Sequence, residues 1–508
     1  MKRLFNRVRV FGVCLLAVAL ACPVPVRAYA VLSHEAIIDA VWETHVKPLL
    51  LKKFPRATEE DLSRAQAYAY GGAIIQDMGY YPYGSPFFSD LTHYIRSGDF
   101  ILALLRDAKD LNEYAFAAGA LAHYAADNDG HRIGTNRAVP LLYPGLRKKY
   151  GDSVSYEDGR LAHVKTEFGF DVLEIARERY APDSYHDFIG FEVARPVLDR
   201  AFRETYGLEL SDVLVSEEKV LNSYRRDVSK LIPKATRIAW HLKKDEIKDD
   251  IPDITRKKFL FNLSRSNYER EWGKDYRKPG PAERFLAFLY RLIPKFGPLK
   301  VLQFRTPTPQ TEQMFEASFN ATLDRYRKLL TEAREGRLEL PNDNFDVGES
   351  TGPGKYRLND EAHAELLDKL AERNFAGATP EVKAELLNFF GEPDAPYATK
   401  RKAKAWAKVQ SELQQLKSAT PTSIVADSAA TIEMKKPTHS INDSRPTAGE
   451  SRFVFASHAV ELGANFPAPE AMTLQSNICA PISGRIVNLL VRPRRHVEAK
   501  ELLVTVAP

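Results

Sequence analysis

The sequence predicts a mainly α protein: a multi-helix bundle with a helical extension, followed by a small carboxy-terminal β module. Three observations predict it. Apolar residues recur at three- and four-residue spacing from about Ser33 to about Leu416. A stretch rich in Ser, Thr, Pro and Ala at 417–450 interrupts that pattern and reads as a linker. Beyond it, "NICAPISGRIVNLLVRPRRHVEAKELLVTVAP" alternates β-branched residues between Gly and Pro turns. At 508 residues, with 44% hydrophobic and 27% charged side chains, the chain exceeds what one compact core accommodates. The organisation that follows is a leader at 1–28, a helical domain at 29–240, a helical extension at 241–416, the linker, and a β module at 451–508.

The first element is a targeting segment. Lys2, Arg3, Arg7 and Arg9 precede an apolar run from Val10 to Ala21, and "VRA" at 26–28 ends in a small residue. This pattern predicts a secretory signal peptide cleaved after Ala28, and a secreted or periplasmic location. No later segment is long and apolar enough to span a bilayer. The formal charge of +5 includes five basic residues of the leader, which has no acids, so the mature chain is formally neutral. The basic isoelectric point is therefore no argument for a nucleic-acid partner. "ALAC" around Cys22 resembles a lipoprotein cleavage site, but Ala19 stands where a larger aliphatic residue is usual. Cleavage after Ala28 leaves Cys479 as the one thiol, with no internal disulfide despite export.

The helical domain comes next. "HEAIIDAVWETHVKPLL", "EYAFAAGALAHYAAD" and "LAHVKTEFGFDVLEIARERY" carry helical periodicity, and the second is apolar nearly all round, as in a helix at the centre of a bundle. Ligand-type side chains recur within them. His123 and Asp127 are four apart, hence on one helix face, and His163 and Glu167 repeat that spacing on a second helix. His131 follows Gly130, where the first of these helices is expected to end. Asp77 and His93 come from a further segment, and His34 lies near the mature amino terminus. One such pair alone is usually a surface ion pair or a satisfied core histidine. Two pairs beside apolar faces imply a compensating cation, because burying that many ionisable groups is otherwise costly.

These residues resemble a family. "YAVLSH", Asp77, His93, "HYAAD" and "HVKTE" look like the zinc-dependent phospholipase C family, whose helical fold is shared by single-strand-specific zinc nucleases; the resemblance covers roughly Tyr29 to Arg200. It implies up to three Zn2+ ions. Asp77, His93, His123 and Asp127 would hold one, and His131, His163 and Glu167 a second. Tyr29, through its free amine and carbonyl, would hold the third with His34 and Asp127, making Asp127 a bridge. Cleavage after Ala30 would instead make Val31 the terminal ligand. One departure is visible. The family usually places a histidine six positions after the bridging aspartate, whereas His131 comes four after Asp127; either Gly130 tightens the turn or Asp129 substitutes.

The chemistry this implies is phosphodiester hydrolysis by metal-activated water, with Asp77 orienting or deprotonating the nucleophile. Within "MGYYPYGSPFFSD", Tyr80, Tyr81, Tyr83, Phe87 and Phe88 either contact a choline head group or a base, or pack on the bundle. The expected substrate is a phospholipid at a membrane surface. A neutral mature chain and the lack of disulfides make nucleic acid the less favoured substrate. The competing readings are a single-strand-specific nuclease and a non-enzymatic envelope binding or adaptor protein. His45, His186 and His241 are read as packing or surface residues, and 241–416 yields no motif.

The last element, "EAMTLQSNICAPISGRIVNLL", resembles the carboxy-terminal half of biotinyl and lipoyl carrier domains. Thr473 stands where carriers have the acceptor lysine, so neither biotin nor lipoate is expected there. The resemblance implies a degenerate carrier-like module that contacts a protein partner.

Overall fold

The nineteen residues Leu111–Asp129 form the axis of the bundle, and every side chain from Glu113 to Asp129 is buried. The computed structural model describes residues 31–81, 83–176, 192–226 and 304–420, together with the backbone of 452–455, 485–489 and 502–507. The leader expected at 1–28, Tyr29, His186, His241 and Thr473 lie outside the described residues.

The longer helices, in order, are α1 (Val31–Val41), α2 (Glu59–Gly72), α3 (Pro86–Tyr94), α4 (Ser97–Asp107) and the axial α5 (Leu111–Asp129). After these come α6 (Tyr156–Ala176), α7 (Arg195–Tyr206), α8 (Glu217–Arg226), α9 (Pro309–Glu335), α10 (Arg357–Glu372), α11 (Pro380–Phe389) and α12 (Ala403–Ser418). Local chemistry starts them. Thr58 and Asp61 form a reciprocal capping box on α2, and the Asp110 carboxylate accepts the Glu113 N–H at the start of α5. Gly336, at φ 72°, ends α9 in the left-handed conformation that glycine adopts without strain.

Glycine also sets the spacing of α2 against α5. A β-carbon at Gly72 would lie 1.9 Å from the Phe116 carbonyl oxygen, and one at Gly119 would lie 2.0 Å from that of Ala69. The two helices therefore pack backbone to backbone. α9 also packs on α5, and the buried Tyr326 hydroxyl donates to the Ala118 carbonyl at 2.9 Å. Thus the segment without a sequence motif lies directly on the central helix.

The chain divides into two compact units, 1–426 and 427–508. In the second, β1 (Arg452–Phe455), β2 (Arg485–Leu489) and β3 (Leu502–Ala507) form an antiparallel sheet in the order β1–β3–β2. Among the described residues no helix is long and apolar enough to cross a membrane.

Candidate metal centre

Six elements supply the described side chains singled out in the sequence. α1 supplies His34, the 3-10 turn Ile75–Tyr80 supplies Asp77, α3 supplies His93, and α5 supplies His123 and Asp127. α6 adds His163 and Glu167. His131 lies between α5 and the short helix Asn136–Leu142, in a π-helical segment, Gly130–Thr135. The turn expected to tighten at Gly130 instead widens there, and the chain continues as helix rather than ending. This wider turn aims His131 Nε2 at Glu167 Oε1, 3.4 Å away on α6. Asp129, the alternative to His131, is engaged elsewhere: its carboxylate pairs with Arg132 and Arg325, each at 3.1 Å.

Eight of the nine candidate ligands gather in one buried region, each at most 4% exposed. The ninth, Tyr29, lies outside the described residues. Three groups form, each with ligand atoms within 4.8 Å of one another: His34, His123 and Asp127; Asp77, His93 and His123; and His131, His163 and Glu167. Asp127 is central, with His34 Nε2 3.5 Å from Oδ1, and His123 and His93 Nε2 at 3.1 and 3.3 Å from Oδ2. His34 and His123 stack with ring centroids 4.5 Å apart. His93 Nε2 approaches Asp77 Oδ1 at 3.5 Å, and His163 Nε2 approaches Glu167 Oε1 at 2.9 Å.

Backbone carbonyls orient two of the rings. His123 Nδ1 is 2.9 Å from the Ala73 carbonyl and His93 Nδ1 is 2.7 Å from that of Ser89. A carbonyl only accepts, so each Nδ1 carries a proton and, in the neutral ring that ligates a metal, each Nε2 turns a lone pair inward. Those two Nε2 atoms lie only 3.4 Å apart. Two lone pairs at that distance repel unless a cation or proton sits between them. Both carboxylate oxygens of Asp77, Asp127 and Glu167, and both ring nitrogens of His163, also lack a hydrogen-bond partner. Buried polar groups are nearly always satisfied, so this concentration of orphaned donor atoms fits bound cations. Mixed imidazole and carboxylate donors suit zinc.

The electrostatics of the cluster reflect the same crowding. Burial disfavours a charged His93, but the facing Asp127 and Asp77 carboxylates prevail and raise its pKa to about 9. His131 is likewise opposed by burial and carried to about 10 by Asp127, Glu167 and Asp346. Burial and the neighbouring His123 hold His34 well below the usual imidazole value. Burial pushes Asp77 up, while for Asp127 the surrounding imidazoles, His123 foremost, outweigh burial and hold it well below the usual carboxylate range.

Three functional neighbours escaped the sequence reading. Asp171, one turn beyond Glu167 on α6, accepts the Leu32 N–H at 3.2 Å and the Ser33 hydroxyl at 2.7 Å, fastening the start of α1. Phe345 packs on His93 and His123, with centroids 5.3 and 6.1 Å away, and its N–H donates to the His93 carbonyl. Asp346, beside it, reaches His131. The acid four residues after Glu167 was a visible signal for Asp171. Nothing in "NDNFDVG" marked Phe345 or Asp346.

The aromatic stretch divides unevenly. Tyr80, Tyr81, Phe87 and Phe88 are core residues, Phe88 stacking on Phe202 at 5.4 Å, whereas Tyr83 is 60% exposed. Packing therefore accounts for most of that stretch, although the Tyr80 ring lies 6.0 Å from His93. His45 is a surface residue paired with the neighbouring Thr44 hydroxyl.

A helical bundle enclosing grouped, buried imidazoles and carboxylates defines a candidate metalloenzyme. Residues 33–214 match the family model described as zinc dependent phospholipase C. All eight described candidate ligands fall within that stretch, and the match supports a zinc-dependent phospholipase C-type hydrolase. None of the curated proteins or solved structures matches the chain.

Proposed function

We propose that the chain is an exported zinc-dependent phosphodiesterase that acts as a phospholipase C, cleaving the glycerol–phosphate bond of a phospholipid. The observation that carries this reading is the set of three buried His–carboxylate groups, two of them sharing His123, inside the stretch that matches the family model. His34, Asp77, His93, His123, Asp127, His131, His163 and Glu167 would hold up to three zinc ions, with Tyr29 completing the third group. Zinc held there supplies Lewis acidity toward phosphoryl oxygen and activation of water at neutral pH. The chain's own part is orientation. Ala73 and Ser89 fix the His123 and His93 tautomers. Asp77 is the candidate to position and deprotonate the attacking water, and burial raises its basicity above that of an exposed aspartate. The basic-then-apolar start supports export. The β module is read as an adaptor for a protein partner, carrying neither biotin nor lipoate at Thr473.

The test uses the exported, trimmed protein. About three zinc per chain, with hydrolysis of phosphatidylcholine vesicles abolished by chelator and restored by zinc, is the expected result. Turnover of single-stranded DNA but not lipid would make it a nuclease. Zinc without turnover of either would make it a binding protein. Amino-terminal sequencing giving Cys22 or Val31 would remove Tyr29 from the ligand set, and a biotin or lipoate mass adduct would overturn the adaptor reading.

A further inference from the structure

Asp346 belongs to the loop between α9 and α10, well beyond the stretch that matches the family model. It is 2% exposed and held from several sides. Its N–H donates to Asn344 Oδ1 at 3.0 Å, and its carbonyl accepts Asn136 Nδ2 at 2.6 Å. Its Oδ2 accepts both the Tyr156 N–H at 2.8 Å and the Tyr356 hydroxyl at 2.7 Å. The other oxygen, Oδ1, has no hydrogen-bond partner and faces His131 Nδ1 at 3.6 Å. On the far side of that ring, Nε2 points toward Glu167.

We propose that Asp346 is a positioning residue for His131, supplied to the metal centre by the carboxy-terminal helical segment. A histidine ligates through one nitrogen only if the proton resides on the other, and an acceptor opposite Nδ1 enforces that state. For His93 and His123 the acceptors are backbone carbonyls from within the matched stretch. For His131 it is the Asp346 carboxylate. The π-helical turn explains the need: it swings His131 toward α6 and away from the regular backbone that serves the other two rings. At 3.6 Å the contact is an ion-pair approach rather than a hydrogen bond, and a small rotation of the imidazole closes it. Contacts of this type often tighten once a site is loaded. Because Oδ2 is doubly anchored, Oδ1 cannot swing away from the ring. The 304–420 segment is thereby part of the site rather than an appendage.

This inference rests on the zinc reading, and the experiment separates the two. Zinc content and chelator-competition affinity are measured on the full chain for wild type, Asp346→Asn, Tyr356→Phe and His131→Ala. Asparagine keeps a carbonyl for Tyr156 and Tyr356, so the fold persists, but it removes the charge that holds the Nδ1 proton. The expected outcome is about ten- to a hundredfold weaker binding of one zinc in Asp346→Asn. Tyr356→Phe, which removes only an anchoring bond, should bind zinc within about threefold of wild type by the same comparison. Should Asp346→Asn bind all zinc as tightly as wild type, or Tyr356→Phe lose as much as Asp346→Asn, the carboxylate is a structural anchor and the inference falls. Loss of one zinc in His131→Ala alone leaves the zinc reading standing, whereas a wild type free of zinc removes both.

Discussion

Asp127 faces four imidazoles, and that position sets what its removal does. His34 and, at 3.9 Å, His131 lie on one of its oxygens, and His93 and His123 on the other. Asp127→Ala is therefore expected to lower zinc content by about two per chain in a direct metal assay, because a bridging carboxylate serves both of its ions. Loss of a single zinc would contradict the bridge. Protons compete for the same sites. In the metal-free protein His93 and His131 titrate near 9 and 10, above the usual imidazole value. At pH 7 both carry a proton that zinc must displace, so calorimetry in buffers of different ionisation enthalpy should show proton release on binding, fading above about pH 10. The same shifts give the sign of stability without metal. Raised histidines stabilise the metal-free fold fully below their unfolded value of 6.5 and cease to do so as pH rises through about 9 to 10. Asp127, held low, works in reverse: its contribution is present above its unfolded value of 3.8 and is lost on acidification through its folded pKa. The metal-free protein should thus melt highest between those limits, and chemical denaturation across pH measures it.

At the scale of elements, the approach of α2 to α5 places one of the orienting carbonyls. Ala73, which caps α2, accepts from His123, one turn along α5 from Gly119. A methyl group at Gly119 would meet both the Ala69 carbonyl and the Ala73 nitrogen, at 2.0 and 2.8 Å. Gly119→Ala is expected to force the helices apart and destabilise the metal-free protein by about 1–3 kcal/mol, read from its denaturant midpoint. Zinc affinity should fall with it, since the His123 acceptor moves. A midpoint unchanged from wild type would mean the helices accommodate the methyl.

At the scale of the whole molecule, the candidate metal centre and its neighbours draw on described residues from α1 to the loop before α10. They lie wholly within the unit 1–426. A chain cut after Ala426 should keep its zinc content and thermal transition, and any loss would show that the β unit supports the centre. The loop bearing Phe345 and Asp346 also bears on access, because the grouped ligands are nearly inaccessible to solvent. Phe345→Ala opens the wall beside His93 and His123 and should weaken the fold through the lost aromatic contact, by about 3–5 kcal/mol as for other buried phenylalanines.

The helical character, the buried status of "AHYAAD" and the pairs His123–Asp127 and His163–Glu167 were legible in the sequence because each depends on short-range periodicity, whereas His34, Asp77 and His93 came only from the family resemblance. A histidine and an acid four residues apart share a helix face whatever the rest of the chain does. The destination of His131 was not legible, since a π-helical turn differs from an α-helical one by a single residue's worth of hydrogen bonding and leaves no clear trace in spacing. Nor was the role of Asp346, whose neighbours His131, Asn136 and Tyr156 are remote along the chain. Local pattern was enough to establish which residue types could bind a cation and on which helices they ride. Long-range packing established that these helices aim them at one another and that a distant loop completes their surroundings, because such proximity follows from how apolar faces meet, not from local order.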